Sequence, residues 1–151
     1  MLFAINSKAE ENNIKYYSED SGILSLMYHR FDENKYPSTN IQMDIFKEQM
    51  SIINTSNYKF FDPQYLQKEF NFPKNKKEIL ITVDDAFLSF YKIAWPYLKR
   101  EKIPFILFVS TETVGKTGYM SWQQIQEVEK EPYAHIGNHS HSHNYLVDLE
   151  T

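Results

Sequence analysis

The segment from Glu78 to Val83 is an apolar run that ends directly on two adjacent carboxylates, Asp84 and Asp85. A strand with one wet face alternates apolar and polar residues, whereas a near-continuous apolar run predicts a strand buried on both faces, as in a parallel sheet. Comparable short runs occupy Ile23 to Tyr28, Phe105 to Val109 and Ala134 to Gly137, with a briefer one at Tyr58 to Phe61. Between them, Ile41, Ile45, Phe46, Met50, Ile52 and Ile53 recur at helical spacing, as do Phe90, Ile93, Ala94, Tyr97 and Leu98. Strands alternating with amphipathic helices predict an α/β fold whose functional groups gather at the C-terminal ends of the strands.

Local signals place the boundaries. Ser38, Thr39 and Asn40 are candidate caps for the first helix. Asp62 before Pro63 reads as an N-cap with proline at the first helical position, opening a short helix to about Phe70. Lys74 to Lys77 forms a charged turn. Pro96 predicts a kink within a helix from Phe87 to Glu101. Ser121 with Gln124 three residues on is a capping-box signature for a helix through about Lys130, which Pro132 closes. Residues 1–21, with Glu10, Glu11, Glu19 and Asp20 and weak periodicity, read as a loosely attached leader, so the domain is expected over 22–151.

Composition narrows the function classes. A chain of 151 residues fits one domain. Its 11 Phe, 11 Tyr and 2 Trp predict a core built on aromatic rings rather than disorder. Twenty acidic against 16 basic residues give a net charge of −4, which argues against nucleic acid as a partner. No stretch reaches the roughly 18 consecutive apolar residues of a membrane span, and no secretory signal peptide is visible. The absence of Cys removes thiol nucleophiles and Cys-ligated metal but leaves the compartment open.

The polar clusters fall at predicted strand ends. Adjacent acids on an extended backbone face opposite ways, so Asp84 and Asp85 can do different work, one as ligand and one as proton acceptor. The same pair would also serve as a turn or cap before the next helix. His139 and His143 are four apart, so one turn of chain would bring both rings to one side, a spacing suited to a shared metal, while His141 points elsewhere. A polar loop rich in His is the alternative. Taken together, two imidazoles and one carboxylate make a set that leaves metal positions open for water and substrate, with a second carboxylate beside it as base.

These residues resemble a known family. Ile81 to Ala86 looks like the T-F-D-D-G segment of the polysaccharide deacetylases with a NodB-like domain, and His139 to His143 matches their H-[ST]-x-x-H segment, in the same order. Leu26, Met27, Tyr28 and His29 resemble the Y-H-containing first strand of deacetylases of poly-N-acetylglucosamine, so the likeness runs over about residues 22–147.

The resemblance implies a distorted TIM-like (β/α)7 barrel, incomplete in this chain. It implies metal-dependent hydrolysis of N-acetyl groups on an N-acetylglucosamine polymer, releasing acetate. Asp84 would be the general base. Asp85, His139 and His143 would bind a divalent metal, most often zinc, with cobalt, nickel or iron as substitutes. Ser140 would orient a ligand from behind, and His29, at the end of the first strand, would line the sugar site. The family's later segments, one with an Arg that orients the base and one with a His that serves as acid, are expected beyond Thr151. The chain is therefore expected to be the front of a domain, with an open sheet edge able to self-associate. The competing class is a non-catalytic carbohydrate-binding or assembly module that retains the metal set.

Overall fold

The computed structural model describes residues 22–66, 77–144 and 147. In chain order the elements are β1 (Gly22–Tyr28), β2 (Arg30–Phe31), β3 (Asn40–Ile41), α1 (Met43–Thr55), β4 (Lys59–Phe60), β5 (Lys77–Asp84), α2 (Trp95–Glu101), β6 (Phe105–Val109), α3 (Trp122–Glu129) and β7 (Ala134–Asn138). The leader expected over 1–21, the helix beyond Leu66 and most of the lysine-rich turn lie outside the described residues.

All strand pairs in the main sheet are parallel, in the order β1-β5-β6-β7, with β4 pairing the start of β5. A second small sheet joins β2 to β3. The α/β class is as the sequence predicts. The central strand β5 is the clearest case: Ile81 and Val83 face one side, Thr82 and Asp84 the other, and all four are buried. β1 differs from expectation. It stands at the end of the strand order, and Leu24 and Met27 are 57% and 63% exposed. An apolar run reports the preference of its side chains, and only the neighbours decide whether both faces are covered.

The core is aromatic, as the composition predicts. Tyr28 meets Phe46 edge-on at 4.9 Å, Phe46 meets Phe31 at 5.1 Å, Phe31 meets Phe90 at 6.1 Å, and Phe90 meets Phe105 at 5.6 Å. This chain of rings ties β1, α1, β2, the segment before α2, and β6 into one body. Such pairs add about 0.5–1.5 kcal/mol each beyond the area they bury.

Two local expectations are revised and a third is refined. Ser38, Thr39 and Asn40 do not cap α1. The cap residue is Gln42, without a side-chain bond, and Asp32 Oδ1 accepts from the Met43 N–H at 2.7 Å from eleven residues away. Asp62 does cap the turn at Pro63, accepting from the Gln64 N–H, but the described part is a single 3₁₀ turn, Pro63–Tyr65. Pro96 does sit inside one helical stretch, unbroken from Leu88 to Glu101, and the expected distortion takes the form of a π-helical turn, Phe90–Ala94, just before α2. Proline has no N–H and its ring crowds the carbonyl four residues back, so widening the preceding turn removes the conflict. The capping box at Ser121 is present in full: Ser121 Oγ accepts from the Gln124 N–H, and Gln124 Oε1 accepts from the Ser121 N–H.

Candidate metal centre at the strand ends

Parallel pairing delivers the polar residues to one rim. Asp84 lies level with Phe108, and Phe108 with Gly137, so β5, β6 and β7 end side by side. The ladder continues past β7 through the His139 N–H, which donates to the Val109 carbonyl at 3.0 Å. Ser110 Oγ then donates to the His139 carbonyl at 2.9 Å. His139 is thus held by β6 although it is written into the sequence after β7.

His143 reaches the same place without a helix. Ser140 and His143 have φ of 64° and 56°, and this left-handed backbone reverses the chain. Asn138 Oδ1 accepts from the Ser140 N–H, and Ser140 Oγ accepts from the His143 N–H at 3.0 Å. The two imidazoles come to 4.7 Å between ring centroids. Ser140 therefore acts on the backbone of His143. His141 faces away and shares a hydrogen bond with Thr111 Oγ1.

The two acids sit differently, although Asp85 is on left-handed rather than extended backbone and both carboxylates approach His139. Asp85 Oδ1 lies 3.5 Å from His139 Nε2 and 3.6 Å from His143 Nε2, and the two Nε2 atoms are 3.0 Å apart. One donor atom from each of the three residues falls within 4.8 Å of the others. Asp84 is more deeply placed, its Oδ2 3.8 Å from His139 Nε2 and its Oδ1 buried without a hydrogen-bond partner among the described residues. Burial pushes the Asp84 carboxyl above the usual carboxylate range, partly opposed by the charges of His139, His29 and His143. His29, half-buried at the end of β1, is close enough for its charge to act on Asp84.

The donor set fits a divalent metal. Three atoms at these separations share a point about 2.0–2.2 Å from each, the bond length that imidazole nitrogen and carboxylate oxygen make to zinc. Asp85, His139 and His143 would occupy one face of such an ion.

The strained turn that carries the acids is held from outside. Asp85 and Ala86 have φ of 71° and 52°, a conformation costing non-glycine residues about 1–2 kcal/mol each. The Ala86 carbonyl accepts from the Met120 N–H at 2.9 Å, the Gly118 carbonyl from the Leu88 N–H, and Phe87 bridges Tyr119. Two features of this rim escape a sequence reading: the support from residues 118–120, and Arg30, whose guanidinium lies over the Phe87 ring. Neither leaves a local pattern.

Residues 71–151 match the family model described as Polysaccharide deacetylase. The poly-beta-1,6-N-acetyl-D-glucosamine N-deacetylase of Staphylococcus epidermidis is 25% identical over 160 residues, covering 91% of this chain and 54% of that protein. The structure of IcaB from Ammonifex degensii superposes with a TM-score of 0.70 at 31% identity, covering 79% of this chain and 53% of that one. The Streptococcus pyogenes deacetylase PplD superposes equally well, with a TM-score of 0.70 at 24% identity over 85% of this chain and 60% of that one, a likeness of fold. The chain spans about half the length of the curated relatives it matches.

Proposed function

This chain belongs to the polysaccharide deacetylase family, its α/β sheet matching that family's distorted barrel, and from that premise we propose that it removes N-acetyl groups from a β-1,6-linked N-acetylglucosamine polymer. The observation that carries the reading is the convergence of Asp85, His139 and His143 on one point with the partnerless oxygen of Asp84 beside it.

In this reading the working domain starts near Gly22, and Asp85, His139 and His143 hold a divalent ion, zinc by preference. When bound, the ion supplies Lewis-acid polarisation of the acetamide carbonyl and of a water. Asp84 takes the proton from that water. Its burial suits the task, because a carboxylate lifted above its usual range is a stronger base than a solvated one. Ser140 holds the turn that aims His143. In this reading His29, half-buried on the same rim, lines the sugar site and hands a proton to the leaving amine.

The test pairs metal content with acetate release from β-1,6-linked N-acetylglucosamine oligomers. Asp84→Asn should retain the ion and lose turnover by about 10²-fold or more. Loss of the ion in that variant would move Asp84 into the ligand set, and unchanged turnover would remove it from the mechanism. Self-association is part of the same proposal: the edge of β1 that no described residue pairs, with its exposed Leu24 and Met27, offers a second copy a strand to pair with. Sedimentation of Met27→Lys against the parent chain reads it directly.

A further inference from the structure

Arg30 follows His29 at the start of β2, yet its side chain is turned inward over the rim. Its Cζ lies 3.4 Å from the centroid of the Phe87 ring and 4.0 Å from that of Tyr36, while Nη1 donates to Glu33 Oε2 at 2.9 Å. A guanidinium is planar and weakly hydrated, so it can lie against aromatic faces while its edge keeps a carboxylate. The pairing is local on one side, since Glu33 and Tyr36 belong to the loop between β2 and β3. On the other side it reaches Phe87, two residues after Asp85.

Phe87 is buried, and its ring also packs on Tyr119 at 4.9 Å. Beside it, the Phe31 N–H donates to Ser89 Oγ at 3.3 Å. β2 thus grips the segment 87–89 through a ring and a hydroxyl. The residues immediately before that segment, Asp85 and Ala86, are the ones with left-handed backbone. Such a turn relaxes unless its exit is fixed. The loop at 118–120 fixes it by backbone bonds, and Arg30 does so through the Phe87 ring.

We propose that Arg30 is a positioning residue for the acid turn: stacked on Phe87, it holds Asp84 and Asp85 in the geometry that meets His139 and His143. This rests on those acids being the working pair. Lysine would keep the charge but not the planar stack.

The measurement is amide hydrogen exchange at Met120, whose N–H is held by the Ala86 carbonyl, and at Leu88, with Leu107 in the middle of β6 as the reference. Arg30→Ala and Arg30→Lys should each speed exchange at Met120 and Leu88 about tenfold while Leu107 stays unchanged. Cobalt affinity, followed by its visible absorption, should fall by a similar factor. Tyr36→Ala removes only the exposed face of the stack and gives a smaller acceleration at the same two amides in a chain whose core is untouched. Exchange that rises at all three amides together, that does not rise, or that Arg30→Lys restores would overturn the proposal. Failure of the parent chain to take up cobalt would overturn the metal reading instead, and the exchange measurement decides on Arg30 either way.

Discussion

His139 Nε2 and His143 Nε2 lie 3.0 Å apart, both within 3.6 Å of Asp85 Oδ1, although the chain between the two histidines is not helical. Two rings held this close are poised to share one cation. His143→Ala should therefore take metal content from about one ion per chain to near zero. Because His143 is exposed, metal-free stability should change by no more than about 0.5 kcal/mol. Elemental analysis and metal-free thermal melting check the two halves separately.

Gly137 and Phe108 give a second handle on the same site. A Cβ at position 137 would lie 2.4 Å from Phe108 Cδ1, and the Phe108 ring sits 6.3 Å from that of His139. Gly137→Ala must push the ring aside, at about 1–3 kcal/mol of overpacking. Chemical denaturation should show that loss, and metal affinity should fall with it. Adding Phe108→Ala should return part of the affinity by vacating the space.

Tyr28 is a readable contributor to the pH dependence of stability at the alkaline end. Burial pushes the Tyr28 phenol up to about 12 from 10.0, and its hydroxyl donates to Gln49 Oε1 at 2.7 Å. The folded chain then keeps a proton that the unfolded chain releases near pH 10. Stability from this group is complete below that value and is lost as pH rises toward 12, by about 1–2 kcal/mol. Tyr28→Phe should show a shallower slope than the parent chain when denaturation is compared between pH 9 and 11.5.

The capping box at α3 carries a plain stability prediction. Ser121→Ala leaves the Gln124 N–H without its acceptor, and a loss of about 1 kcal/mol is expected. Gln124→Ala removes the reciprocal bond. A double-mutant cycle should show the double variant losing less than the sum of the two single losses, since each bond positions the other.

Several elements were legible because their cause is local. The capping box, the cap at Asp62 and the apolar run of β5 are patterns of neighbouring residues, and the structure places each within a residue or two of expectation. The acids and histidines were legible for the same reason, as residue types at spacings that suit one chemistry. Asp32 capping α1, the stacking of Arg30 on Phe87 and the pressure of Phe108 on Gly137 were not. Each joins residues whose separation along the chain carries no period, so nothing in a local window marks it.

What the amino-acid order determined by itself is which groups stand at the ends of β5 and β7, and that those strands are parallel members of an α/β sheet. Tertiary structure decided that they meet. Register pairs Asp84 with Phe108 and Phe108 with Gly137, which brings the acids level with the chain that leads into His139. Left-handed backbone at Asp85, Ala86, Ser140 and His143 then turns the side chains toward one point. Neither step follows from propensity, because L-residues disfavour that backbone and accept it only where surrounding hydrogen bonds and packing over-determine it.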